Sequence, residues 1–178
     1  MIEIHTERLT LKPLGTKYLD SVHEYASDLE NTRYMMFLPN ESLDETREFL
    51  QKAEDEWQCD TPSFYEFAVI YQDRQVGAVS LYREDDTSAE FGWILNKKYW
   101  GQGIACEAAS ALMDYAVKKF GIRNFIAHCD SENAASYRIM EKLGMSRTNI
   151  QGGRKNKASE EERAEYQYEL YVECANLL

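Results

Sequence analysis

Two glycines, Gly101 and Gly103, separate an apolar, strand-like run at residues 89–95 from a run with helical spacing at residues 105–120. The first N–H groups of a helix have no partner within the helix, and the helix dipole favours negative charge at that end. Glycine lets a ligand approach the backbone closely because it carries no Cβ. The order strand, glycines, helix therefore predicts a turn that binds a phosphate group.

Two common phosphate-binding motifs do not fit this turn. The P-loop requires a Gly-Lys pair followed by Ser or Thr, which the chain lacks, and the dinucleotide pattern GxGxxG requires a glycine where Cys106 stands. The turn resembles the acetyl-CoA loop of the GNAT superfamily of N-acetyltransferases, written Q/R-x-x-G-x-G/A, which here spans Trp100 to Ala105. Trp100 replaces the usual Gln or Arg.

Two further stretches extend the resemblance to most of the chain. Residues 6–13, Thr-Glu-Arg-Leu-Thr-Leu-Lys-Pro, are similar to the opening strand of the RimJ/RimL branch, whose named members acetylate the N-termini of ribosomal proteins. Residues 133–136, Asn-Ala-Ala-Ser, and 141–145, Glu-Lys-Leu-Gly-Met, are similar to its second signature. The resemblance implies an α/β GNAT fold, with one domain over residues 1–178 and a central twisted, mixed, mostly antiparallel sheet flanked by helices on both faces.

The resemblance also implies an activity and a coenzyme. It implies an enzyme that transfers acetyl from acetyl-CoA to a primary amine, either a protein N-terminus or a small-molecule amine, by direct attack in a ternary complex and without a metal. The loop amides would take the diphosphate, and the strand end before the loop would pair with the pantetheine arm and turn a main-chain N–H toward the thioester oxygen. The residues implied in coenzyme binding are Ile94, Leu95, Asn96, Trp100, Gly101, Gln102, Gly103, Ile104, Ala105, Asn133 and Ser136.

A polar patch on the helix predicted after residue 131 contains the candidate general acid. Asn133, Ser136, Tyr137 and Met140 lie at i, i+3, i+4 and i+7, so they share one helix face. The RimJ/RimL resemblance assigns the serine of this patch, Ser136, to protonating the leaving thiolate. Tyr137 is the other candidate acid. Many relatives carry a tyrosine where this chain has Met140, which cannot donate a proton.

A general base is also required, because an amine with a pKa of about 10 is mostly protonated at neutral pH. Glu90 is the one charged residue in the strand-like run beside the coenzyme segment, and burial there would raise its pKa. Two other interpretations of Glu90 carry equal weight: it faces solvent, or it forms a structural pair. The alternative bases, before the last predicted strand, are Glu160, Glu161, Glu162 and Glu165.

Two other functions stay open at this point. One is a non-catalytic CoA-binding sensor or interaction module on the same fold, which Trp100 and the unassigned base keep open. The other is a different enzyme that binds a nucleotide phosphate. A Cys–His hydrolase built from His128 and Cys129 is disfavoured, because consecutive strand residues point to opposite faces of a sheet.

Composition limits the class of protein and its partners. A chain of 178 residues with 44% hydrophobic residues is large enough to bury a core and too apolar to be disordered. A formal net charge of −11 argues against a nucleic-acid partner and fits a cationic amine substrate. No run reaches the ~20 apolar residues of a membrane span, so no membrane partner is expected. The resemblance is compatible with a homodimer.

The cysteines and the start of the chain indicate a cytoplasmic location. Cys59, Cys106, Cys129 and Cys174 are far apart and form no CxxC pair, which favours reduced thiols over disulfides or zinc. No charged-then-apolar leader opens the chain.

Periodicity predicts the elements that must position the candidate residues. Thr16 would cap a first helix, Ser42 and Glu45 form a capping box, and Asp130 or Ser131 would cap the helix that carries Ser136. The predicted strands are 9–11, 64–71, 76–82, 88–95, 124–129, 145–150 and 165–172, and the predicted helices are 17–28, 43–58, 105–120 and 131–143. The polar connection 151–163 is expected to be mobile, and the apolar loop 31–40 is expected either to pack on the core or to line a pocket.

Overall fold

A sheet of eight strands forms the centre of the molecule in a computed structural model, which describes residues 2–173. The strands are Ile4–His5 (β1), Leu9–Pro13 (β2), Phe64–Tyr71 (β3), Arg74–Arg83 (β4), Ser88–Leu95 (β5), Asn124–Asp130 (β6), Ser146–Lys155 (β7) and Glu162–Tyr171 (β8). The helices are Leu19–Ala26 (α1), Leu29–Thr32 (α2), Leu43–Glu56 (α3), Ile104–Tyr115 (α4) and Ala134–Lys142 (α5). The spatial order of the strands is β1-β2-β3-β4-β5-β6-β8-β7.

The pairing of the strands confirms the predicted mixed and mostly antiparallel sheet. All neighbouring strands are antiparallel except β5 and β6, which run parallel. The short strand β1 lies outside β2, so the predicted first strand is not the edge of the sheet. Strands β3 and β4 are joined by Gln72 and Asp73 alone, so the link is two residues long and not the predicted four. Both residues have positive φ (49° and 61°), as tight hairpin turns require.

Helices cover both faces of the sheet, as predicted. On one face α4 packs over a large core that includes Phe67, Leu112 and Phe125. On the other face α1 and α3 cover a smaller core that includes Val22 and Leu50. Because side chains alternate along a strand, the odd-numbered residues of β5 and β6 belong to the α4 face and the even-numbered residues to the opposite face. This alternation decides on which side of the sheet each polar side chain lies.

A gap opens in the middle of the sheet between the two parallel strands. The pairing of β5 with β6 ends at Phe91 and Ala127, although β5 continues to Leu95 and β6 to Asp130. The strands therefore diverge over their last residues, and we call this opening the fork. A 3₁₀ turn at Lys97–Tyr99 and the predicted phosphate turn, residues 101–105, connect the diverging end of β5 to α4, so the phosphate turn lies at the mouth of the fork.

Several local signals in the sequence are confirmed. The Ser42 hydroxyl accepts the N–H of Glu45 (3.2 Å) at the start of α3, and the Glu45 carboxylate accepts the N–H of Glu41 (2.9 Å). Beyond α4, a wider π-helical turn at Ala116–Phe120 continues to Gly121, whose φ of 71° ends the helix.

The predicted cap of the first helix is wrong. Thr16 donates both its N–H (2.9 Å) and its hydroxyl (2.7 Å) to the Glu54 carboxylate of α3, so its side chain caps nothing. A short 3₁₀ turn at Thr16–Tyr18 precedes α1, which begins at Leu19. Thr16 binds Glu54, 38 positions away, and does not cap the helix; the residues around Thr16 in the sequence cannot predict this contact.

The predicted cap of α5 is also wrong. Neither Asp130 nor Ser131 occupies the capping position, which Asn133 takes by accepting the N–H of Ser136 at 3.2 Å. The Asp130 carboxylate accepts the N–H of Glu132 instead (2.8 Å), in the turn before the helix.

The connection expected to be mobile is largely part of the sheet. Strand β7 extends to Lys155 and β8 begins at Glu162, so residues 156–161 alone connect them. Arg154 donates to the Tyr34 carbonyl (2.9 Å) and the Lys157 N–H to the Met35 carbonyl (3.0 Å). These bonds tie the β7–β8 hairpin to the loop after α2.

Three of the four cysteines, Cys59, Cys106 and Cys129, are free thiols, and Cys174 lies outside the described residues. None of the helices within residues 2–173 combines the length and the apolar character needed to cross a bilayer.

Candidate active site

The phosphate turn presents backbone amides to open space. Gly101 and Gly103 have φ values of 74° and 76°, in the left-handed region that favours glycine. Gly103 stands at the N-cap of α4 without a side-chain cap, and the first helical bond runs from the Glu107 N–H to the Gly103 carbonyl at 3.0 Å. The N–H groups before Glu107 therefore have no partner within the helix. A Cβ built on Gly101 would meet nothing within 4 Å, so the turn has room for a phosphate group.

The end of β5 presents main-chain groups to the fork. Because the Asn96 N–H donates to the Val76 carbonyl (2.8 Å), alternation along the antiparallel pair also directs the main chain of Ile94 toward β4. The same alternation directs the N–H and C=O groups of Trp93 and Leu95 into the fork. Of the predicted pantetheine-binding residues, Leu95 therefore directs its backbone into the fork, Ile94 and Asn96 direct theirs toward β4, and Trp93 joins Leu95.

Trp100 holds the end of β5 in place. Its indole N–H donates to the Leu95 carbonyl (2.8 Å), and the Asn31 side-chain amide donates to the same oxygen (3.1 Å). The side-chain oxygen of Asn31, Oδ1, accepts the backbone N–H of Lys97 at 2.6 Å. The Trp100 ring remains 48% exposed beside the phosphate turn. The residue that departs from the family pattern thus fixes the geometry of the strand end.

The start of α5 lies on the α4 side of the fork. Asn133 uses its side-chain oxygen to cap the helix, and no hydrogen bond of its amino group to residues 2–173 is found. Ser136 lies near Cys129, which stands on β6 beyond the last β5–β6 pair. The Ser136 hydroxyl lowers the pKa of the Cys129 thiol, but burial is the larger influence and raises that pKa to about 11. The Tyr137 ring instead packs against Tyr166 of β8, with ring centres 5.9 Å apart. Ser136 is therefore closer to the fork than Tyr137 is.

Glu90 forms a pair with His128 on the opposite face of the sheet. The Glu90 carboxylate and His128 Nδ1 are 2.9 Å apart, joining β5 to β6 just before the strands diverge. The Glu90 side chain is 40% exposed, so of the interpretations that the sequence left open, the structure shows the pair and not the buried carboxylate. The hydrogen bond to Glu90 raises the pKa of His128, against an opposing effect of burial. A carboxylate–imidazole pair at this place can accept a proton.

A carboxyl–hydroxyl pair, Glu66 and Tyr82, lies beside the pair of Glu90 and His128. The Tyr82 hydroxyl donates to Glu66 (2.7 Å), and Tyr82 stands directly opposite Glu90 in the β4–β5 register. Glu66 is only 6% exposed, and burial raises its pKa to about 7. The row Glu66, Tyr82, Glu90 and His128 thus crosses four strands on one face of the sheet.

The far wall of this polar face is an ionic network in the β7–β8 hairpin. Arg154 pairs with Glu165 across the hairpin and also donates to Asn156 (3.1 Å), which in turn donates to the fully buried Asp130 at the end of β6 (2.5 Å). Through Arg154 the network reaches the loop after α2, in which Phe37 is 82% exposed. Glu165, one of the alternative bases, is therefore committed to an arginine.

Sequence reasoning singled out the predicted phosphate turn, the α5 patch and Glu90, but it did not select Trp93, His128 or Glu66 as candidates. Glu66 carried a readable signal, because it is a lone carboxylate inside an apolar strand, as Glu90 is. His128 carried none, since its partnership with Glu90 depends on the β5–β6 register. No group of three or more His, Cys, Asp or Glu side chains able to hold a metal ion occurs within residues 2–173.

Comparison with known proteins agrees with this architecture. The family model described as an acetyltransferase (GNAT) domain matches residues 8–146. A relative in Bacillus subtilis (strain 168), the uncharacterized N-acetyltransferase YnaD, is 31% identical over 151 residues, which cover 82% of this chain and 84% of the relative.

Solved structures of similar shape include an acetyltransferase of the GNAT family from Bacillus anthracis. That structure has a TM-score of 0.82 and 30% identity, and the match covers 96% of this chain and 98% of that chain. The ribosomal L7/L12 alpha-N-protein acetyltransferase RimL, in complex with coenzyme A, has a TM-score of 0.85 at 18% identity, with 96% of this chain and 98% of that chain covered. The predicted GNAT fold is confirmed, and RimL is among the solved structures that share it.

Proposed function

The chain belongs to the GNAT acetyltransferase family, and from this premise we propose that it transfers an acetyl group from acetyl-CoA to a primary amine. We further propose that the amine attacks directly, in a complex that holds both substrates, without a covalent acyl-enzyme. The nucleophile is the amine itself.

One observation carries this proposal: the unpaired edge of β5 leads directly into the phosphate turn. The fork exposes the main-chain N–H and C=O groups of Trp93 and the N–H of Leu95, and the free amides of Gly103 and the next residues follow at its mouth. A ligand with an extended amide-bearing arm and a diphosphate would use both features at once, pairing its arm as a strand does and placing its phosphates on the helix N-terminus. Acetyl-CoA has this combination.

The side chains at the fork divide between the two steps of proton handling. When bound, acetyl-CoA supplies an activated acyl group and a thiolate leaving group. Glu90 and His128 face the polar side of the sheet and accept the proton of the incoming amine, directly or through water. Ser136 lies on the α4 side, next to Cys129, and donates a proton to the departing sulfur. A main-chain N–H of Trp93 or Leu95 faces the acyl oxygen.

The acceptor enters from the polar face of the sheet. The Glu90 carboxylate lies there, and the whole chain has a formal charge of −11, so a cationic amine is attracted rather than repelled. A peptide N-terminus and a small-molecule amine both meet this requirement. RimL, which shares the fold, is an N-terminal acetyltransferase of a ribosomal protein.

An acceptor screen with acetyl-CoA in excess tests the proposed function. The panel should contain peptides with free N-termini, polyamines and aminoglycosides, and the readout should be free thiol together with the mass of the acetylated product. Amine-dependent thiol release that matches the product in amount is the expected result. The Glu90→Gln variant serves as the control for a contaminating enzyme, because it should slow the reaction at equal protein concentration.

Two outcomes would replace the proposal with another function. Binding of CoA without thiol release by any amine would indicate the non-catalytic sensor. Protection against heating by ATP or NAD but not by CoA would indicate a different nucleotide-phosphate enzyme.

A further inference from the structure

The segment between β1 and β2 is bonded to the phosphate turn and to the first turn of α4. The Thr6 hydroxyl donates to Glu107 Oε1 (2.5 Å), and the Arg8 backbone N–H donates to the same oxygen (3.2 Å). The Arg8 guanidinium reaches Glu107 Oε2 through Nε and Nη2, each at 2.7 Å. Both oxygens of one carboxylate are thus held by residues about a hundred positions earlier in the chain.

The same guanidinium also fixes a peptide group in the middle of the turn. Arg8 Nη1 donates to the Gln102 carbonyl at 3.1 Å. A peptide group is planar and trans, so the direction of the Gln102 carbonyl determines the opposite direction of the Gly103 N–H. Arg8 Nη2 lies 3.6 Å from the place where a Cβ of Gly103 would stand. Arg8 therefore controls the orientation of an amide that the turn offers to an anion.

Arg8 also balances a charge that would oppose anion binding. Glu107 lies in the first turn of α4, where a carboxylate interacts well with the helix dipole but would repel a diphosphate. Burial raises the pKa of Glu107, but the hydrogen bonds from Thr6 and Arg8 outweigh it and lower the pKa, so the group stays ionised. The Arg8 guanidinium, which donates twice to Glu107 Oε2, covers this negative charge on the side of the turn.

We propose that Arg8 is a positioning residue for the diphosphate of the coenzyme, acting through the Gln102 carbonyl and through Glu107. The inference rests on the proposed function, because it requires that the turn binds CoA. Arg8 belongs to the donor side alone and has no part in amine binding or proton transfer. Removing the Arg8 side chain should weaken the binding of every ligand that carries the diphosphate and leave the binding of donors without a diphosphate unchanged.

The test compares two acetyl donors in the wild type and in Arg8→Gln and Arg8→Lys variants. Acetyl-CoA carries the diphosphate, and S-acetylpantetheine does not. For Arg8→Gln, we expect the Kd for CoA by calorimetry and the KM for acetyl-CoA to rise about tenfold, equal to about 1.4 kcal/mol, with kcat nearly unchanged. Arg8→Lys should lose nearly as much affinity, because an ammonium group keeps the charge but cannot reproduce the planar donors that bind Glu107 and the Gln102 carbonyl together. The KM for S-acetylpantetheine should stay the same in both variants.

A double variant and a matched control sharpen the test. Glu107→Gln in the Arg8→Gln background should recover part of the lost CoA affinity, since it removes the uncovered charge. Arg47→Gln is the control, because Arg47 is an exposed arginine that pairs with Asp44 on α3, away from the turn. Arg47→Gln should change the KM of neither donor.

The outcomes separate this inference from the function on which it rests. If the wild type does not bind CoA, the proposed function fails first. If the wild type binds CoA and Arg8→Gln binds it within twofold, the positioning role is wrong. An equal loss with S-acetylpantetheine in both Arg8 variants would also overturn the proposal, because a general disturbance of the fold does not distinguish the donors.

Discussion

The two halves of the fork are built in different ways. The donor half consists largely of main chain from one short stretch, in which the end of β5, the phosphate turn and the first turn of α4 follow one another. The acceptor half consists of side chains from four strands: Glu66, Tyr82, Glu90 and His128. A ligand site made of consecutive backbone amides needs only the correct local conformation. A site made of distant side chains needs the correct register of every strand between them.

The two halves also differ in their electrostatics. Backbone amides do not titrate, so the donor half should bind its ligand with little dependence on pH in the neutral range. The acceptor half contains a carboxyl group and an imidazole whose pKa values are both raised. The pKa of Glu66 is about 7, and the pKa of His128 is raised by its bond to Glu90. The pH dependence of the enzyme should therefore originate on the acceptor side.

The largest effect should come from filling the donor half. In Gly103→Trp, the indole would occupy the space next to the free amides, and we expect CoA affinity to fall about a thousandfold, or about 4 kcal/mol, as measured by calorimetry. Gly121→Trp is the matched control. Gly121 ends the same helix with a similar φ of 71°, and a Cβ there would meet nothing within 4 Å. Similar CoA affinities in the two variants would show that the turn does not bind the diphosphate.

Removing the carboxylate of the acceptor half should have the next largest effect. We expect Glu90→Gln to lower kcat about a hundredfold, the usual size of a general-base contribution, without changing the KM for acetyl-CoA. The Glu90 carboxylate stabilises protonated His128, so activity in the wild type rises as His128 loses its proton at a raised pKa. In the Gln variant this limb of the pH profile should shift to lower pH.

An exposed carboxylate of α3 provides the control for that variant. Glu48→Gln removes the same charge at a distance from the fork and should leave kcat and the pH profile unchanged. If Glu90→Gln also leaves both unchanged, the base lies elsewhere, and the pair with His128 is structural.

The difference between the halves explains what the sequence could predict. The turn at Gly101 and Gly103 and the helix after it were readable because glycines with positive φ and helical periodicity are local properties. Glu90 was readable as an unusual residue, but its partner was not, since His128 is 38 positions away and meets it only through the parallel register. The cap expected of Thr16 failed for the same reason: a carboxylate on α3 replaced it. The polar stretch after Ile150 looked like a loop because its strand lies exposed at the edge of the sheet and lacks an apolar pattern.

Glu66 tests how deeply the acceptor half is buried, and here the expected change is in stability. The pKa of Glu66 is about 7 in the folded protein, against about 4.3 for an unfolded glutamate. The folded state therefore keeps its proton while the unfolded state loses it, and the free energy of unfolding falls as pH rises from about 4.5 to 7. Glu66→Gln still accepts the Tyr82 hydroxyl but has no proton to lose. Relative to the wild type, it should gain about 2 kcal/mol between pH 5 and pH 8 in urea unfolding.

A pH-independent difference between Glu66→Gln and the wild type would mean that Glu66 is ionised or solvated in the folded protein. The acceptor half would then be more open than its 6% exposure indicates. Glu48→Gln again provides the comparison, because an exposed carboxylate should show no such slope.

The smallest effect is expected at Ser136, which lies between the two halves. It lies near Cys129 on β6, and the N-cap of its helix is Asn133, the residue that the resemblance assigns to the coenzyme. A thiol with a pKa near 8.5 leaves readily even without a proton donor, so an acid at this position accelerates the reaction only modestly. We expect Ser136→Ala to lower kcat about tenfold and to change CoA affinity less than twofold. Tyr137→Phe is the decisive comparison, because it keeps the ring on Tyr166 and removes only the hydroxyl. If Tyr137→Phe lowers kcat and Ser136→Ala does not, the proton comes from the tyrosine, and the role assigned to Ser136 is wrong.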